Sequence, residues 1–307
     1  MTRTLLRIAT RKSPLALWQA RHVGEQLKQQ WPGLDIALLP MLTSGDRFTK
    51  DKLQDIGGKG LFVKELEEAL LDKRADLAVH SMKDVPADLP PGLIMAAICK
   101  RDNPLDAFVS KRYLNVNDLP PGSVIGTSSL RRQSQLLAWR PDLNIKTLRG
   151  NINTRLAKLD NGDYDAIILA AAGLMRMGLD SSINALLDTA VMLPACGQGA
   201  LGIECRGDDA FVQEHLAPLH DMLTATCVRA ERQVNARLGG NCHVPLAVYC
   251  QAKDPETLHL QAKVLSLDGK ITIDHQEQGA YDDAMNLADT CANALLSQGA
   301  DHLLSAL

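Results

Sequence analysis

The sequence predicts an α/β protein in which an alternating run of strands and helices occurs twice, followed by a smaller α+β unit. Short apolar runs alternate with amphipathic helical patterns through the first two-thirds of the chain, as in sheets with crossover helices. After Thr224 the pattern changes to a helix, three strands and a final helix, which indicates an antiparallel sheet. With 307 residues the chain is long enough for two or three domains.

The first alternating region has clear local signals for its elements. Ser13-Pro14 is a favourable cap and first turn for a helix, and Trp31-Pro32-Gly33 ends that helix. A second helix shows apolar spacing with charged residues on its solvent faces. The predicted elements are strands Leu5–Ala9, Ile36–Leu39, Leu77–His80 and Leu93–Cys99 and helices Pro14–Gln30 and Phe62–Leu71.

The second alternating region follows Lys100–Pro104, which has the polarity and the proline of a linker. Asn161-Gly162 ends a short helix, and Leu193–Ala200, with one proline and two glycines, predicts a hinge or return connection. The predicted elements are strands Val124–Gly126, Ile145–Leu148 and Ala166–Leu169 and helices Ser129–Trp139 and Thr154–Leu159.

The C-terminal unit predicts a hairpin, because Asp268-Gly269 separates two strand patterns. Its predicted elements are strands Leu246–Cys250, Leu258–Leu265 and Ile271–His275 and the helix Ala284–Leu296.

Composition narrows the class of protein. The longest apolar run, Ala166–Met175, is too short to span a membrane, which needs about 20 residues. Basic residues interrupt the N-terminal apolar residues, so we expect no secretion signal. Seven cysteines without a CxxC pair indicate free thiols and no zinc site, so we expect a cytoplasmic protein and no bound metal.

The charge distribution favours a small anionic ligand. Residues 126–176 contain six Arg and two Lys against four Asp, whereas residues 251–307 contain three Lys against nine acids. The formal net charge is only -3, and 4% of residues are aromatic, which leaves few stacking surfaces for single-stranded nucleic acid. We therefore expect no nucleic-acid partner and no membrane partner.

Hydroxyls and arginines cluster where the second region's strands end. Thr127-Ser128-Ser129 lies between a strand and a helix and precedes Arg131-Arg132, an arrangement that suits a carboxylate or phosphate. An ordinary helix cap with a solvated arginine pair explains the same residues equally well. Further arginines favour the anion site, because ligands bind at the carboxyl ends of strands in open α/β sheets. The further residues are Arg149, Asn151, Arg155 and Arg176.

The first region has a parallel arrangement. Arg11 and Ser13 follow its first strand, and Ser81, Lys83 and Asp84 follow the strand that ends at His80. A carboxylate among cations at a strand end is a candidate for stabilising a cation or handling protons. From the residues alone, a structural Asp84 paired with Lys83 is the better interpretation.

One cysteine and two glycine-rich segments are further candidates for functional sites. Cys242 lies in a glycine-bearing loop, where a reactive thiol would be accessible, although most free cysteines are inert. Gly197–Gly202 matches G-x-G-x-x-G but lacks the strand-to-helix context of a dinucleotide site. Gly57–Gly60 lacks the Ser or Thr of a phosphate-binding loop, so we interpret it as a loop with Lys59 as a charge contact.

Taken together, these segments resemble the porphobilinogen deaminase family. The resemblance is collinear from near the start of the chain to Pro245 and extends to the C-terminal unit in pattern only. Asn241 replaces a glycine that the family often has. The matching segments are 7–11, 13–18, 57–65, 78–86, 126–132, 148–151, 164–170, 193–195 and 197–200.

The resemblance implies a transferase that condenses four porphobilinogens head to tail, releasing ammonia, into hydroxymethylbilane, for haem and porphyrin synthesis. It implies a dipyrromethane cofactor, two linked pyrroles attached by a thioether to Cys242, and Asp84 as the catalytic residue. A six-ring chain carries twelve carboxylates, which explains the many arginines. The implied cofactor and substrate contacts are Arg11, Ser13, Lys59, Ser81, Lys83, Thr127, Ser128, Ser129, Arg131, Arg132, Arg149, Asn151, Arg155, Arg176 and Gln198.

The resemblance also implies a three-domain monomer: two periplasmic-binding-protein-like α/β domains around a cleft, plus the α+β domain that carries Cys242. The expected bounds are 1–99 with 200–217 for domain 1, 105–193 for domain 2 and 222–307 for domain 3. The expected partner is porphobilinogen, a small molecule.

Two other classes of protein compete with this interpretation. A carboxylate-binding receptor of the periplasmic type explains the two similar regions and the arginines, but neither the missing export signal nor Cys242. A nucleotide-dependent oxidoreductase rests on Gly197–Gly202 and fails on its context.

Overall fold

In the computed structural model the described residues are 4–44, 63–239, 244–254 and 256–305. By their contacts they form two units, one of residues 1–101 and 200–225 and the other of residues 102–199 and 226–307. A separate third domain over residues 222–307 stays a prediction. Within the described ranges, every helix is too short or too polar to cross a lipid bilayer.

The first unit contains a five-stranded sheet with helices on both faces. Its strands are β1 (Leu5–Arg11), β2 (Asp35–Met41), β3 (Leu77–Ser81), β4 (Leu93–Ile98) and β10 (Leu201–Arg206), and its helices are α1 (Pro14–Gln30), α2 (Lys64–Leu71) and α6 (Ala210–Leu216).

The order of strands in this sheet is β2-β1-β3-β10-β4. Strands β1, β2 and β3 are parallel, as the alternating pattern predicts, but β10 pairs antiparallel with both β3 and β4. The parallel arrangement that strands separated by helices imply therefore holds for these three strands and fails at β10. Leu193–Ala200 predicts that the chain returns here, but no local signal in the sequence gives the direction in which β10 then crosses the sheet.

Helix α1 shows how the sequence fixes an element and its packing. The Ser13 hydroxyl accepts a hydrogen bond from the Ala16 amide (3.3 Å), and Pro14 occupies the first turn, where it loses no hydrogen bond. Apolar residues at helical spacing, including Ala20, Val23 and Leu27, are fully buried against the sheet. The predicted helix Pro14–Gln30 is confirmed at both ends.

The second unit repeats the same arrangement of strands. The strands are β5 (Asp106–Ser110), β6 (Val124–Gly126), β7 (Asn144–Lys146), β8 (Ala166–Ala170) and β9 (Ala185–Leu187), and the helices are α3 (Leu130–Trp139), α4 (Ile152–Asp160) and α5 (Ala171–Arg176). The order of strands in the sheet is β7-β6-β8-β5-β9, and again one strand, β5, is antiparallel to its neighbours.

The predicted strands of this unit differ from the structure in two respects. The predicted strand Ile145–Leu148 is displaced, because pairing with β6 ends at Lys146, and Leu148 is buried outside the strand. Strands β5 and β9 were not predicted. β5 is short and buried on both faces, so it shows no alternation, and β9 has only three residues.

The C-terminal part of the second unit is a three-stranded antiparallel sheet covered by helices, which confirms the predicted α+β pattern. The last strand is longer than predicted, because all nine of its residues pair with the preceding strand although the three that follow His275 are polar. The elements are α7 (Met222–Arg237), β11 (Leu246–Ala252), β12 (Thr257–Leu265), β13 (Thr272–Ala280), α8 (Ala284–Ser297) and α9 (Ala300–Ser305).

A buried polar cluster lies in the first unit. His80 Nε2 on β3 is 2.8 Å from Glu204 Oε2 on β10, and both side chains are almost fully buried. Burial, and then the charge of Glu204, raises the pKa of Glu67 on α2 to about 7. Glu67 therefore keeps its proton in the native state at pH values where the unfolded chain has released it.

Glu67 consequently makes the stability of the protein depend on pH. The free energy of unfolding should fall as pH rises from the ordinary value of 4.5 to about 7, because the native state binds the extra proton. We expect Glu67→Gln to raise the free energy of unfolding by about 1–3 kcal/mol at pH 8 and to change it little at pH 4.5. Denaturant titrations at both pH values measure this.

The matched control is Glu68→Gln, on the same helix, whose carboxylate is exposed and 3.9 Å from Lys64. An equal effect of Glu67→Gln at the two pH values would contradict the assignment.

Candidate active site

In the first unit, the parallel strands bring the predicted site residues to one edge of the sheet. Arg11 ends β1, and Ser81 ends the neighbouring strand β3. The buried Gln19 of α1 donates a hydrogen bond from its amide to the Ser81 hydroxyl (2.9 Å), which ties the helix to this edge. Ser13, the cap of α1, lies two residues beyond the end of β1.

Asp84 lies in a short 3-10 helix, Met82–Asp84, that follows β3 directly. The amide of Met82 donates to the Ala200 carbonyl (3.0 Å), and the amide of Val85 donates to the Met82 carbonyl (3.2 Å), so the backbone on both sides of Asp84 is held. The Asp84 side chain is half-buried and has no hydrogen bond or ion pair with any residue that the structure describes. Its two oxygens can therefore accept hydrogen bonds from a ligand. Lys83 beside it is also half-buried.

In the second unit, the loop after β6 is held by its own hydroxyls. Thr127 donates from its amide to the Lys146 carbonyl (3.0 Å), and its hydroxyl accepts from the Ser129 amide (3.1 Å). Ser129 caps α3 by accepting from the Arg132 amide (3.4 Å), and the Ser128 hydroxyl donates to the Leu148 carbonyl. The expected helix cap and the expected cluster of hydroxyls therefore exist together.

The arginine pair after this loop is buried around a carboxylate that the sequence analysis missed. Asp106 Oδ1 accepts from Arg132 Nε (3.0 Å) and Nη2 (2.7 Å), and Asp106 Oδ2 is 2.8 Å from Arg131 Nη1. Gln198 also donates to Asp106 Oδ1 (3.0 Å) and to the Pro104 carbonyl (2.7 Å). The alternative of a solvated arginine pair is therefore wrong, since both guanidiniums lie in the interior.

Electrostatic interactions within the cluster favour the ionised form of Asp106. Burial alone would raise the pKa of Asp106, but the charges and hydrogen bonds of Arg131 and Arg132 lower it well below its usual range. Burial also lowers the pKa of Arg131, and the charge of Asp106 opposes that shift. The cluster has a formal charge of +1 and keeps it across the physiological pH range.

The other three arginines that were predicted for the site in the second unit differ in their contacts with the protein. Arg176 is buried, and it donates to Asp102 Oδ2 (2.8 Å) and to the Gly199 carbonyl (2.7 Å). Arg155 Nε donates to the Gly150 carbonyl (2.7 Å). Arg149 is half-buried, and among the described residues its guanidinium has no hydrogen bond or ion pair.

Asn151 serves as a helix cap. Its side-chain oxygen accepts from the Thr154 amide (2.9 Å) at the start of α4. Arg149 lies three residues beyond β7 rather than directly after it, because the strand ends earlier than predicted.

The G-x-G-x-x-G segment is a turn that leads into β10, where a dinucleotide site would require a helix. Gly199 has φ +87, and a β-carbon there would lie 2.8 Å from the Asp102 carbonyl oxygen. Glycine is needed at this position because two backbone segments approach each other closely. Gln198 in the same turn reaches the buried arginine cluster.

Three side chains that contact predicted site residues were not predicted from the sequence. Asp106, Asp102 and Gln19 each hold a predicted site residue, yet each is far from its partner in sequence. An acidic residue at the head of the apolar run Ala107–Val109 was the one signal for Asp106. Cys242 and Lys59 lie outside the described residues. Among the described residues, no group of His, Cys, Asp and Glu has the arrangement of a metal site.

Solved structures match this chain only at low similarity. A nutrient binding protein from Burkholderia cenocepacia bound to methionine is 15% identical, with a TM-score of 0.44 over 69% of this chain and 90% of that chain. The periplasmic aliphatic sulphonate binding protein SsuA from Escherichia coli is 16% identical, with a TM-score of 0.41 over 77% of this chain and 70% of that chain.

Comparison with known sequences gives much higher similarity than comparison with solved structures. The family model of the porphobilinogen deaminase dipyromethane cofactor binding domain matches residues 6–214, and that of the porphobilinogen deaminase C-terminal domain matches residues 225–297. Porphobilinogen deaminase of Legionella pneumophila strain Paris is 62% identical over 307 residues, which are 100% of this chain and 99% of the relative. The protein of that name from strain Philadelphia 1 is 61% identical over the same share of both chains. With both models and the full length matched, the chain belongs to the porphobilinogen deaminase family.

Proposed function

We propose that this chain carries out its family's reaction as a transferase, the hydroxymethylbilane synthase of tetrapyrrole (haem and porphyrin) synthesis. It condenses four porphobilinogen molecules head to tail, releases one ammonia for each, and forms the linear hydroxymethylbilane. The observation that carries the proposal is the match of both family models, together with 62% identity over the whole chain.

The family's cofactor is a covalently bound dipyrromethane, and the described residues fit it chemically. The two pyrroles offer N–H donors and carboxylates, which require hydrogen-bond acceptors and cations from the protein. Within the described ranges, Asp84 supplies an acceptor without a protein partner, and Arg149 supplies a cation without one. When bound, the group supplies a terminal ring whose free α-carbon is a nucleophile. We assign its thioether to Cys242, because the resemblance places the attachment there.

Asp84 is the catalytic residue in this proposal. Loss of the amine from porphobilinogen leaves positive charge on the remaining pyrrole, and a fixed carboxylate lowers the energy of that charge as it develops. The same oxygens accept the pyrrole N–H, which orients the ring. Because the backbone on both sides of Asp84 is hydrogen-bonded, the point from which its side chain projects is held, and the pyrrole N–H groups orient the carboxylate.

The cations and hydroxyls bind the acetate and propionate groups of the substrate and the growing chain. Arginine suits this role because it binds carboxylates through two parallel hydrogen bonds and stays charged. The side chains assigned here are Arg11, Ser13, Ser81 and Lys83 from the first unit, Thr127, Ser128, Ser129, Arg131, Arg132, Arg149, Asn151, Arg155, Arg176 and Gln198 from the second, and Lys59 outside the described residues.

We further propose a cytoplasmic monomer whose partner is porphobilinogen, with neither nucleic acid nor membrane involved. The formal net charge of -3 and the 4% aromatic content support a small-molecule partner. The seven cysteines include no CxxC pair, which supports a reducing compartment.

Turnover of porphobilinogen tests the proposed function. Purified protein should release four ammonia molecules for each hydroxymethylbilane formed. Binding of porphobilinogen without release of ammonia would indicate a carboxylate-binding protein and would contradict an enzyme.

Asp84→Asn tests the role of the carboxylate. The amide has the same shape but no charge, so we expect turnover to fall at least about 100-fold. The thermal midpoint should stay close to that of the parent, because Asp84 has no partner among the described residues. Stopped-assay rates and thermal melts of the two proteins measure both effects, and near-normal turnover would remove Asp84 from the mechanism.

Arg149→Gln and Arg176→Gln separate ligand binding from structural support. Arg149 has no described protein partner, so its loss should raise the KM for porphobilinogen by about 10- to 100-fold and leave the thermal midpoint unchanged. Arg176 holds Asp102 and Gly199, so its loss should also cost about 1–3 kcal/mol of stability. KM and denaturant midpoints measure the contrast. Equal destabilisation by the two substitutions would contradict it.

A further inference from the structure

The buried arginine pair of the second unit depends on a residue that cannot itself bind substrate carboxylates. Asp106 is fully buried, and its side chain is negatively charged, so it would repel a carboxylate ligand. Its oxygens instead contact Arg131, Arg132 and Gln198 at distances of 2.7 to 3.0 Å. Any effect of Asp106 on ligand binding must therefore act through these neighbours.

We propose that Asp106 is a positioning residue for carboxylate recognition, because it fixes the orientation of Arg131 and Arg132 and limits their combined charge. This inference rests on the proposed function, in which the two arginines bind the carboxylates of substrate and product.

The topology of the sheet places Asp106 within reach of Arg131 and Arg132. Asp106 is the first residue of β5, and it pairs with Ala170, the last residue of β8. Because β5 is antiparallel to β8, its first residue lies at the edge where the parallel strands end. Loops and helix starts at that edge carry the site residues, so a carboxylate at this position meets the arginines at the start of α3.

The charges require such a partner. Arg131 and Arg132 are adjacent in sequence, and their side chains are only 5% and 7% exposed. Two neighbouring guanidiniums in a poorly solvated environment repel each other, and a buried ion without its partner is strongly destabilising. Asp106 neutralises one of the two charges and leaves the other to attract a ligand carboxylate.

Backbone acceptors complete the orientation. Arg132 Nη1 donates to the Ile168 carbonyl (3.0 Å), and Arg131 Nη1 donates to the Leu193 carbonyl (2.7 Å). Together with Asp106, these acceptors fix each guanidinium plane by more than one contact. A planar guanidinium fixed in this way can present its remaining N–H groups in a defined direction without losing rotational freedom on binding.

Three variants test the proposal. Asp106→Asn keeps the side-chain shape and removes the charge, whereas Asp106→Ala leaves space for formate, a small free carboxylate. Asp142→Asn is the matched control, because Asp142 accepts from Arg140 Nε (2.7 Å) and Nη2 (2.6 Å) at the exposed surface of the same unit. The measurements are the KM and kcat for porphobilinogen and the thermal midpoint, each with and without formate.

For a positioning role we expect both Asp106 variants to raise KM at least about 10-fold, with a smaller change in kcat. Formate should lower the KM of Asp106→Ala and raise its thermal midpoint, because it replaces the missing carboxylate between the arginines. In the parent enzyme formate should only compete with substrate, and Asp142→Asn should keep the parent's KM. A folded Asp106 variant with an unchanged KM, or a raised KM that formate does not lower, would overturn the proposal.

Asp106→Glu keeps the test decisive if the first two variants do not fold. Its charge supports folding, but the extra methylene displaces the guanidiniums, so we expect a raised KM in a folded protein. A parent-like KM in Asp106→Glu would contradict the positioning role. If the parent releases no ammonia, the proposed function fails separately, and the formate-dependent thermal midpoint of Asp106→Ala still tests the arginine orientation.

Discussion

The ion cluster of Asp106, Arg131 and Arg132 is the interaction on which the proposed carboxylate site of the second unit depends. A protein that binds many carboxylates must concentrate positive charge before the ligand arrives, and that charge destabilises the empty protein. The cluster resolves this conflict by burying two guanidiniums around one carboxylate. Gln198, from the turn that leads to β10, donates to the same carboxylate. The cluster therefore also holds the end of the segment 102–199 of the second unit.

The two sheets use the same strand order to place polar groups at one edge. Four strands that run in the same direction end there in each unit, and one antiparallel strand starts there. In the first unit this edge carries Asp84, an acceptor without a described partner, and in the second it carries cations. Repetition of one arrangement therefore yields two edges of different composition, one with the carboxylate of Asp84 beside the cations Arg11 and Lys83 and the other with several arginines.

The sequence predicted most elements because their signals are local. Ser13 and Pro14 start α1 by capping and a fixed backbone angle, and the alternation along β12 gives its buried face. The site residues followed from their positions after strands and from the family resemblance. The antiparallel strands β5 and β10 were harder, since each joins its sheet through tertiary pairing that leaves no periodic trace.

The organisation within the site could not be predicted from the sequence. Arg131-Arg132 resembles a solvated pair, and only tertiary contacts show that Asp106, 25 or more residues earlier, neutralises half of its charge. For the same reason the sequence could not separate Arg149, which has no described partner, from Arg176, which Asp102 holds. Burial and partner choice in three dimensions decide these differences, and residue type does not.

The covalent dipyrromethane cofactor distinguishes the proposed enzyme from a carboxylate-binding protein. Such a protein would need the arginines but not a thioether to Cys242. The most direct test is the intact mass of the purified protein beside that of Cys242→Ser. An excess equal to two linked pyrrole units, present in the parent and absent from the variant, is the predicted result. A parent mass equal to the bare chain, in protein produced with porphobilinogen available, would contradict the account.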